Sequence, residues 1–259
     1  MRFATFNLLH GRSVHDGLVD GERLRAAVAA LDVDVLALQE ADRGQPRSAG
    51  ADHTAEAARA LGADHHRFAA ALIGTPGAVY RLPVDGSDDV DADPSYGVGL
   101  VSRWPVTDWL IRRLPPAPIR SPVYVPRTGV VLLADEPRVV LAALVDSPVG
   151  RLTVASTHLS FVPGWNLRQL RRTLRWLAAL PGPRVLLGDL NMPMRVVAPI
   201  AAAAGWRPLA RVATYPAHRP RVQFDHILLH PRRTAWSAQA QAPLAAISDH
   251  RPLVVGVTS

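Results

Sequence analysis

Apolar, strand-like segments of this sequence end repeatedly in side chains that can bind cations or move protons. Such endings occur in TFNLLHG, LALQEAD, STHLS, LLGDLNMP, QFDHILL and ISDHRPL. The polar residues at these ends are Asn7, Glu40, His158, Asp189, Asn191, Asp225, His226, Asp249 and His250. Ligands of open sheets gather at one end of the strands, so we expect these residues to converge on one site.

A converged site would hold four carboxylates, Glu40, Asp189, Asp225 and Asp249, which repel one another in a water-poor pocket unless a positive charge neutralises them. The chain has no cysteine, so the available donors are oxygen atoms and imidazole nitrogens. These donors favour a hard divalent cation, Mg²⁺ or Mn²⁺, over zinc. Histidine suits proton transfer or oxyanion stabilisation near neutral pH. A cation and imidazoles in a basic protein indicate phosphoester hydrolysis.

Each of these residues also has a purely structural interpretation. An Asp or Asn after a strand commonly caps a turn or a helix, and a single histidine is commonly a satisfied core residue. The functional interpretation depends on the joint pattern, because residues spread along the whole chain occupy the same kind of strand boundary. The arginine stripe of the segment 165–180, in contrast, is interpreted as a solvated helix face.

Composition restricts the class of protein. The 259 residues are 48% hydrophobic and 20% charged, which is ordinary for a globular protein, and we predict a single domain over residues 1–259. The absence of cysteine excludes a disulfide scaffold, a zinc finger, an iron–sulfur cluster and cysteine catalysis. We see no apolar run of membrane-spanning length and no signal-peptide pattern, so we expect a cytoplasmic location.

The charge balance favours anionic partners. The net charge is +7, and all 29 basic residues are arginine. Such a protein is expected to bind nucleic acid, other phosphorylated molecules or acidic lipid surfaces. Loop arginines beside the motifs are candidates for phosphate contacts: Arg12, Arg43, Arg47, Arg120, Arg127, Arg219 and Arg221. Four aromatic residues near these loops are candidates for base stacking, although core packing is the expectation for each: Trp104, Tyr124, Trp165 and Tyr215.

Strand-like and helix-like segments alternate along the chain, which indicates an α/β protein. The predicted strands are 2–7, 33–38, 66–73, 96–102, 138–145, 151–157, 185–188, 222–229 and 252–257. The predicted helices run from a cap at Asp20 to Leu31, over 51–61 and over 165–180. Two segments, 74–95 and the proline-rich 114–128, are interpreted as long irregular loops, and loops of this length are usually functional or disordered.

Taken in order, these motifs and YGVGLVSRWPV resemble the endonuclease/exonuclease/phosphatase superfamily, which has the deoxyribonuclease-I-like fold. The resemblance runs from Arg2 to Val257. It implies a four-layer α-β-β-α sandwich in which two mixed β-sheets pack face to face between outer helices. It also implies a cation-dependent nuclease or phosphodiesterase acting on DNA or RNA. The alternatives are a phosphatase or phosphodiesterase of small-molecule or lipid phosphates and, remotely, an inactive anion-binding module.

The resemblance assigns the cation and the attacking water to one group of residues. Glu40 would hold the divalent cation, with Asn7 and Asp249 close to it. Asp189 would orient or deprotonate the attacking water. Asn191 would position that water or a phosphate oxygen.

The resemblance assigns the substrate phosphate to two histidines. His250, braced by Asp225, would contact the phosphate oxygens and stabilise the transition state. His158 would lie on the opposite flank, as a phosphate ligand or as the proton donor to the leaving oxygen. His226 is interpreted as structural. Abasic-site repair is not the first expectation, because Leu9 stands where abasic-site endonucleases carry an acidic residue.

Overall fold

A computed structural model describes residues 1–84, 93–125, 129–231 and 233–258. The helices in this part of the chain are α1 (Gly21–Ala29), α2 (His53–Leu61), α3 (Trp165–Ala178) and α4 (Met194–Ala203), with short 3-10 helices at Leu9–Gly11 and Pro46–Ser48. The strands are β1 (Arg2–Asn7), β2 (Val35–Arg43), β3 (His65–Gly74), β4 (Tyr80–Arg81), β5 (Ser95–Ser102), β6 (Val106–Leu114), β7 (Arg120–Val125), β8 (Gly129–Ala134), β9 (Arg138–Ser147), β10 (Gly150–His158), β11 (Arg184–Asp189), β12 (Arg207–Pro208), β13 (Asp225–His230), β14 (Ser237–Gln241) and β15 (Leu253–Thr258).

The strands form two large mixed sheets and one small ribbon. The first sheet has the order β14-β15-β1-β2-β5-β3-β4, and the second has the order β12-β13-β11-β10-β9-β6. Each large sheet contains one parallel pair, β1 with β2 and β10 with β11, flanked by antiparallel neighbours. Strands β7 and β8 pair with each other as a separate antiparallel ribbon.

Three apolar layers hold the sheets and helices together. One layer lies between the sheets and includes Phe3 and Val35 from the first sheet and Leu141 and Val185 from the second. A second layer packs α1 and α2 on the outer face of the first sheet, and a third packs α3 and α4 on the outer face of the second. The predicted four-layer α-β-β-α sandwich is therefore confirmed.

Local sequence explains the helix starts. The carboxylate of Asp20 accepts hydrogen bonds from the first-turn amides of α1, as predicted, and Asp52 caps α2 in the same way. None of the described helices combines the length and apolar character that a membrane-spanning segment needs.

The structure corrects the interpretation of the two irregular segments. Arg120–Val125 is not irregular but forms strand β7, and the short strand β4 lies within 74–95. Proline is compatible with β7 because both strands of an isolated ribbon are edge strands, where a missing amide N–H costs little. Strands β6, β8, β12 and β14 and helix α4 were not predicted. Residues 85–92 and 126–128 of the two segments lie outside the described chain.

Candidate active site

The carboxyl ends of the two parallel pairs face one another across the sandwich. Asn7 ends β1 and His158 ends β10, directly beside Gln39 of β2 and Asp189 of β11. The amide nitrogen Nδ2 of Asn7 donates to Oε1 of Glu40 at 3.0 Å and to Oδ2 of Asp189 at 3.0 Å. One side chain therefore connects the polar ends of both sheets, as the strand-end pattern predicted.

The backbone at Glu40 is irregular. The pairing of β2 with β5 changes register between Leu38 and Ala41, which is a β-bulge, and Glu40 has a φ of 51°. Asn191 and Ser248, beside the other site residues, have φ values of 50° and 71°. Non-glycine residues rarely adopt this left-handed region, and such strain is retained mainly at functional sites.

Asp189 lies at the centre of the cluster. Its Oδ1 accepts the backbone N–H of Asn191 at 2.9 Å, which fixes the orientation of the carboxylate. Its Oδ2 is 3.7 Å from Nε2 of His158 and 3.8 Å from Nε2 of His250. These two distances exceed a direct hydrogen bond and leave a space that a water molecule or a phosphoryl oxygen can bridge.

His250 is held in place from several sides. Its Nδ1 is 2.8 Å from Oδ2 of the fully buried Asp225, and its backbone N–H donates to Oγ of Ser248 at 3.0 Å. The Ser248 hydroxyl donates to the backbone oxygen of Asn7 at 2.6 Å. The ring of Tyr215 lies 4.9 Å from the His250 imidazole. With Nδ1 engaged by Asp225, Nε2 is directed towards Asp189.

His158 faces two hydrogen-bond donors. Nη1 of Arg138 lies 3.3 Å from its Nδ1, and Nδ2 of Asn191 lies 3.0 Å from its Nε2. Nδ2 of Asn191 also donates to the backbone oxygen of Leu159 at 2.9 Å. A neutral imidazole has one acceptor nitrogen, so only one of these two donors can be bonded to it, and the tautomer decides which.

Burial raises the pKa values of two carboxylates of the site. Burial raises the pKa of Glu40 to about 7, and the nearby carboxylates of Asp249 and Asp189 add to this shift. Burial also raises the pKa of Asp189, with a further contribution from Asp225 that the His250 charge opposes. Both carboxylates thus bind protons more tightly than a solvated acid does. Such a raised pKa suits a general base or a carboxylate that binds a cation.

The two imidazoles shift in opposite directions. Burial alone would lower the pKa of His250, but the carboxylates of Asp225 and Asp189 outweigh it, so the pKa is raised. Burial lowers the pKa of His158, and the charges of Arg138 and His250 lower it further. The site therefore presents one imidazolium and one neutral imidazole.

The remaining predicted residues lie at the edge of this network or outside it. Asp249 is partly buried and close enough for its charge to raise the pKa of Glu40. His226 is fully buried with Nε2 bonded to the backbone oxygen of Met192 at 2.8 Å, in agreement with a structural interpretation.

The donor set fits a hard divalent cation. Asp189, Asp225 and His250 each offer a ligand atom, and these atoms lie within 4.8 Å of one another. Oδ1 of Asp225 is buried without a hydrogen-bond partner among the described residues. Asp249 and Asp189 both lie close enough to Glu40 for their charges to add to the rise in its pKa that burial causes, so further carboxylates flank this side of the cluster. Oxygen donors predominate throughout, as magnesium and manganese require.

A cleft of about 690 Å³ opens over these residues. Its floor includes Glu40, His158, Asp189, Asn191 and His250. Sequence reasoning missed other lining residues, notably Arg138 and Tyr96 on the floor and the two hairpins that form the walls. No motif in the sequence distinguishes Arg138 from the other arginines, because its burial beside His158 depends on the pairing of β9 with β10.

Three of the seven arginines proposed as phosphate contacts are engaged within the protein. Arg47 forms a two-pronged ion pair with the buried Asp42, with contacts of 2.8 and 2.7 Å. Arg43 lies over the Phe68 ring, and Nε of Arg12 donates to the backbone oxygen of Gly17. Arg120 lines the cleft, Arg219 and Arg221 are exposed, and Arg127 lies outside the described residues.

The candidate stacking residues have different environments. Trp104 packs edge-on against Phe3 of the inter-sheet core, and Nε1 of Trp165 donates to the backbone oxygen of Pro115. Among the three candidates whose side chains are described, only Tyr215 makes a ring contact with a site residue, His250. The side chain of Tyr124 lies outside the described part.

Comparison with known proteins identifies the family. The profile of the Endonuclease/Exonuclease/phosphatase family matches residues 4–250. The chain belongs to this family. The family comprises hydrolases of phosphoester bonds and is generally dependent on divalent metals. No curated protein matches the sequence significantly.

Solved structures show the same fold at low sequence identity. An endonuclease/exonuclease/phosphatase from Beutenbergia cavernae is 23% identical, with a TM-score of 0.68 over 99% of this chain and 71% of that one. Sphingomyelinase C from Streptomyces griseocarneus is 18% identical, with a TM-score of 0.61 over 99% and 98%. A mannosyl-6-phosphatase from Bacteroides thetaiotaomicron is 13% identical, with a TM-score of 0.62 over the full length of both chains.

Proposed function

We propose that this family member is a divalent-cation-dependent phosphoester hydrolase whose active site is the strand-end cluster around Asp189. The observation that carries the proposal is the convergence of Glu40, Asp189 and His250 on one cleft floor, with the buried Asn7 joining Glu40 to Asp189. Such a cluster of carboxylates and imidazoles costs stability, and it is retained where catalysis uses it.

Asp189 acts as the base. Its carboxylate is fixed by the Asn191 backbone amide, and burial keeps its proton affinity high. A water molecule hydrogen-bonded to Oδ2 gives up its proton there as its oxygen attacks the phosphorus in line with the leaving group. The amide of Asn191 positions the water or a phosphoryl oxygen.

His250 and His158 stabilise the transition state from two sides. His250 carries a positive charge and offers Nε2–H to the phosphoryl oxygens, with Asp225 maintaining that charge. His158 is neutral, because burial and the charges of Arg138 and His250 lower its pKa, and this supports the phosphate-ligand role over transfer of a full proton from an imidazolium. Both imidazoles are preorganised by buried contacts, which is where most electrostatic catalysis originates.

The cation, Mg²⁺ or Mn²⁺, would be held by Glu40, with Asn7 and Asp249 beside it. When bound, it would neutralise charge on the phosphoryl group as the pentacoordinate state forms. The hydrogen bonds from Asn7 to both Glu40 and Asp189 support a cation site beside the proposed base.

Two observations bear on the substrate. The net charge and the exposed Arg219 and Arg221 favour DNA or RNA, and nucleic acid stays our prediction from the sequence. The apolar walls of the cleft favour the second candidate, a phosphoester carried on a lipid or another amphiphile, and a sphingomyelinase is among the structures with this fold.

A substrate panel tests the proposal. Purified protein, stripped with EDTA and supplemented with Mg²⁺ or Mn²⁺, is incubated with short DNA and RNA oligonucleotides, soluble phosphomonoesters, bis(p-nitrophenyl) phosphate and phospholipids. Metal-dependent hydrolysis of at least one class is expected. Hydrolysis of none with either metal would contradict the proposal.

A further inference from the structure

The exposed apolar side chains of the molecule are concentrated at the mouth of the cleft. Eleven large apolar residues of the described chain are exposed. Seven of them belong to two segments only: Val79, Tyr80, Leu82 and Val84, and Ile119, Leu132 and Leu133. Three others, Val14, Leu18 and Leu244, lie on segments 13–18 and 244–248, whose residues line a separate groove, and Val149 lies in the β9–β10 turn.

Both segments border the catalytic cleft from opposite parts of the chain. The β3–β4 hairpin contributes Pro76, Gly77, Ala78 and Tyr80 to the cleft lining, and the β7–β8 ribbon contributes Arg120, Leu132 and Leu133. We call these two segments, residues 75–84 and 117–134 without 126–128, the cleft rim. An exposed apolar patch of this kind marks an interaction or membrane-contact surface.

The rim is anchored at its base while its tips are exposed. Nε2 of Gln45 donates to the backbone oxygen of Gly74 at 2.6 Å, below the first hairpin. The buried carboxylate of Asp135 accepts the backbone N–H of Ala117 at 2.7 Å and thereby closes the base of the ribbon. Val79 is 90% exposed and Ile119 60%, so these two apolar side chains pack against little of the described part of the chain.

The charge of the rim identifies the chemistry of its partner. Of the two arginines of the described rim, Arg81 forms an ion pair of 3.1 Å with Asp93, which lies outside the rim, whereas Arg120 lines the cleft. The sequences 75–84 and 114–134 contain no Asp or Glu. A surface that combines apolar tips with the Arg120 guanidinium and has no acidic residue of its own complements a layer with an apolar interior and an anionic surface. A nucleic-acid site would be expected to carry arginines where the rim carries leucine and valine.

We infer that the cleft rim is a docking surface for an anionic phospholipid bilayer, which presents a lipid-borne phosphoester to Asp189 and His250. The docking is a property of the rim, and only the identity of the substrate rests on the proposed hydrolase function. Apolar tips enter the headgroup–acyl boundary, Arg120 meets anionic headgroups, and the cleft floor faces the bilayer surface.

Vesicle co-sedimentation tests the docking without turnover. Protein in EDTA is mixed with vesicles of phosphatidylcholine alone or with about 30% phosphatidylserine, an anionic content that gives a strongly negative surface. The wild type is expected to sediment with the anionic vesicles and to be released by high salt. The triple variant Val79→Ser, Leu82→Ser, Ile119→Ser is expected to lose about tenfold or more in partition coefficient, because three apolar side chains no longer leave water.

The matched controls are Val149→Ser and Leu244→Ser, which remove exposed apolar side chains away from the rim and are expected to bind like the wild type. Circular dichroism confirms that each variant is folded. Wild-type protein that stays in the supernatant, a triple variant that binds like the wild type, or binding that ignores phosphatidylserine would each overturn the inference. Light scattering that shows a dimer broken by the triple variant, with no vesicle binding, would assign the rim to a second copy of the chain.

The outcomes separate the docking from the chemistry. Metal-dependent hydrolysis of bis(p-nitrophenyl) phosphate without vesicle binding would contradict the docking surface and support the hydrolase function. Vesicle binding without hydrolysis of any phosphoester would support the docking surface and contradict the hydrolase function.

Discussion

The floor and the rim of the cleft are built on different principles. The floor is a buried network in which each catalytic candidate is fixed by strand ends and hydrogen bonds of 2.8–3.0 Å. The rim consists of hairpins whose tips are exposed and apolar. Under the proposed function, the floor would specify the reaction, because charge and geometry there determine what happens to a phosphoryl group. The rim would specify which molecule brings that group, so the two regions are expected to respond to different substitutions.

The largest effect is expected on the floor. Asp189→Ala and His250→Ala should each lower kcat by about 1000-fold or more, since each removes a preorganised group that acts in the transition state. Both variants should remain folded, with His250→Ala the less stable of the two because it leaves the buried Asp225 carboxylate without its partner. Turnover and thermal melts measure both, with the exposed Asp108→Ala as a control. Turnover near the wild-type level in either variant would show that the roles are assigned wrongly.

A substitution at Gly188 tests how closely β10 and β11 pack below the cleft floor. A Cβ at Gly188 would lie 2.1 Å from the backbone oxygen of Thr157, so Gly188→Ala must push β10 and β11 apart. A loss of about 3 kcal/mol or more in the free energy of unfolding is expected.

Gly256→Ala in β15 is the matched control for Gly188→Ala. Its Cβ would meet nothing within 4 Å, so its unfolding free energy should lie within about 0.5 kcal/mol of the wild type. Urea denaturation compares the two variants. Equal stability would mean that the strand ends are not as tightly packed as described.

The electrostatic strain of the floor can be measured through pH. The pKa of Glu40 is raised from 4.5 to about 7, so Glu40 contributes stability that is fully present below pH 4.5 and lost as the pH rises through 7. In EDTA, Glu40→Gln should match the wild type near pH 5 and exceed it above pH 7, by at most about 3 kcal/mol. Unfolding curves at several pH values give the difference. A difference that does not vary with pH would show that Glu40 carries no such shift.

Sequence patterns predicted the floor because they report local identity and strand ends. Asn7, Glu40, Asp189 and His250 each follow an apolar run, and the carboxyl ends of parallel strands meet at one edge. The contacts of Arg138 with His158 and of Tyr215 with His250 were not predicted, since no motif in the sequence shows which of these side chains face the site. The ribbon was not predicted because its segment is rich in proline, which is unusual in strands. Strand β7 tolerates proline because it pairs with β8 in a separate two-stranded ribbon.

The smallest effect on stability is expected at the rim. The triple variant Val79→Ser, Leu82→Ser, Ile119→Ser should change the unfolding free energy by less than about 1 kcal/mol, because these side chains are exposed in the folded protein. Thermal melts beside those of Gly188→Ala measure the contrast. A large loss would show that the rim is part of the packed core and would remove the distinction between the two regions.

The central claim is tested most directly by hydrolysis of bis(p-nitrophenyl) phosphate before and after metal removal. Protein stripped with EDTA should release no nitrophenolate, and addition of Mg²⁺ or Mn²⁺ should restore turnover in the wild type while Asp189→Ala stays inactive. Hydrolysis that persists in EDTA, or that Asp189→Ala retains, would contradict a metal-dependent site built around Asp189.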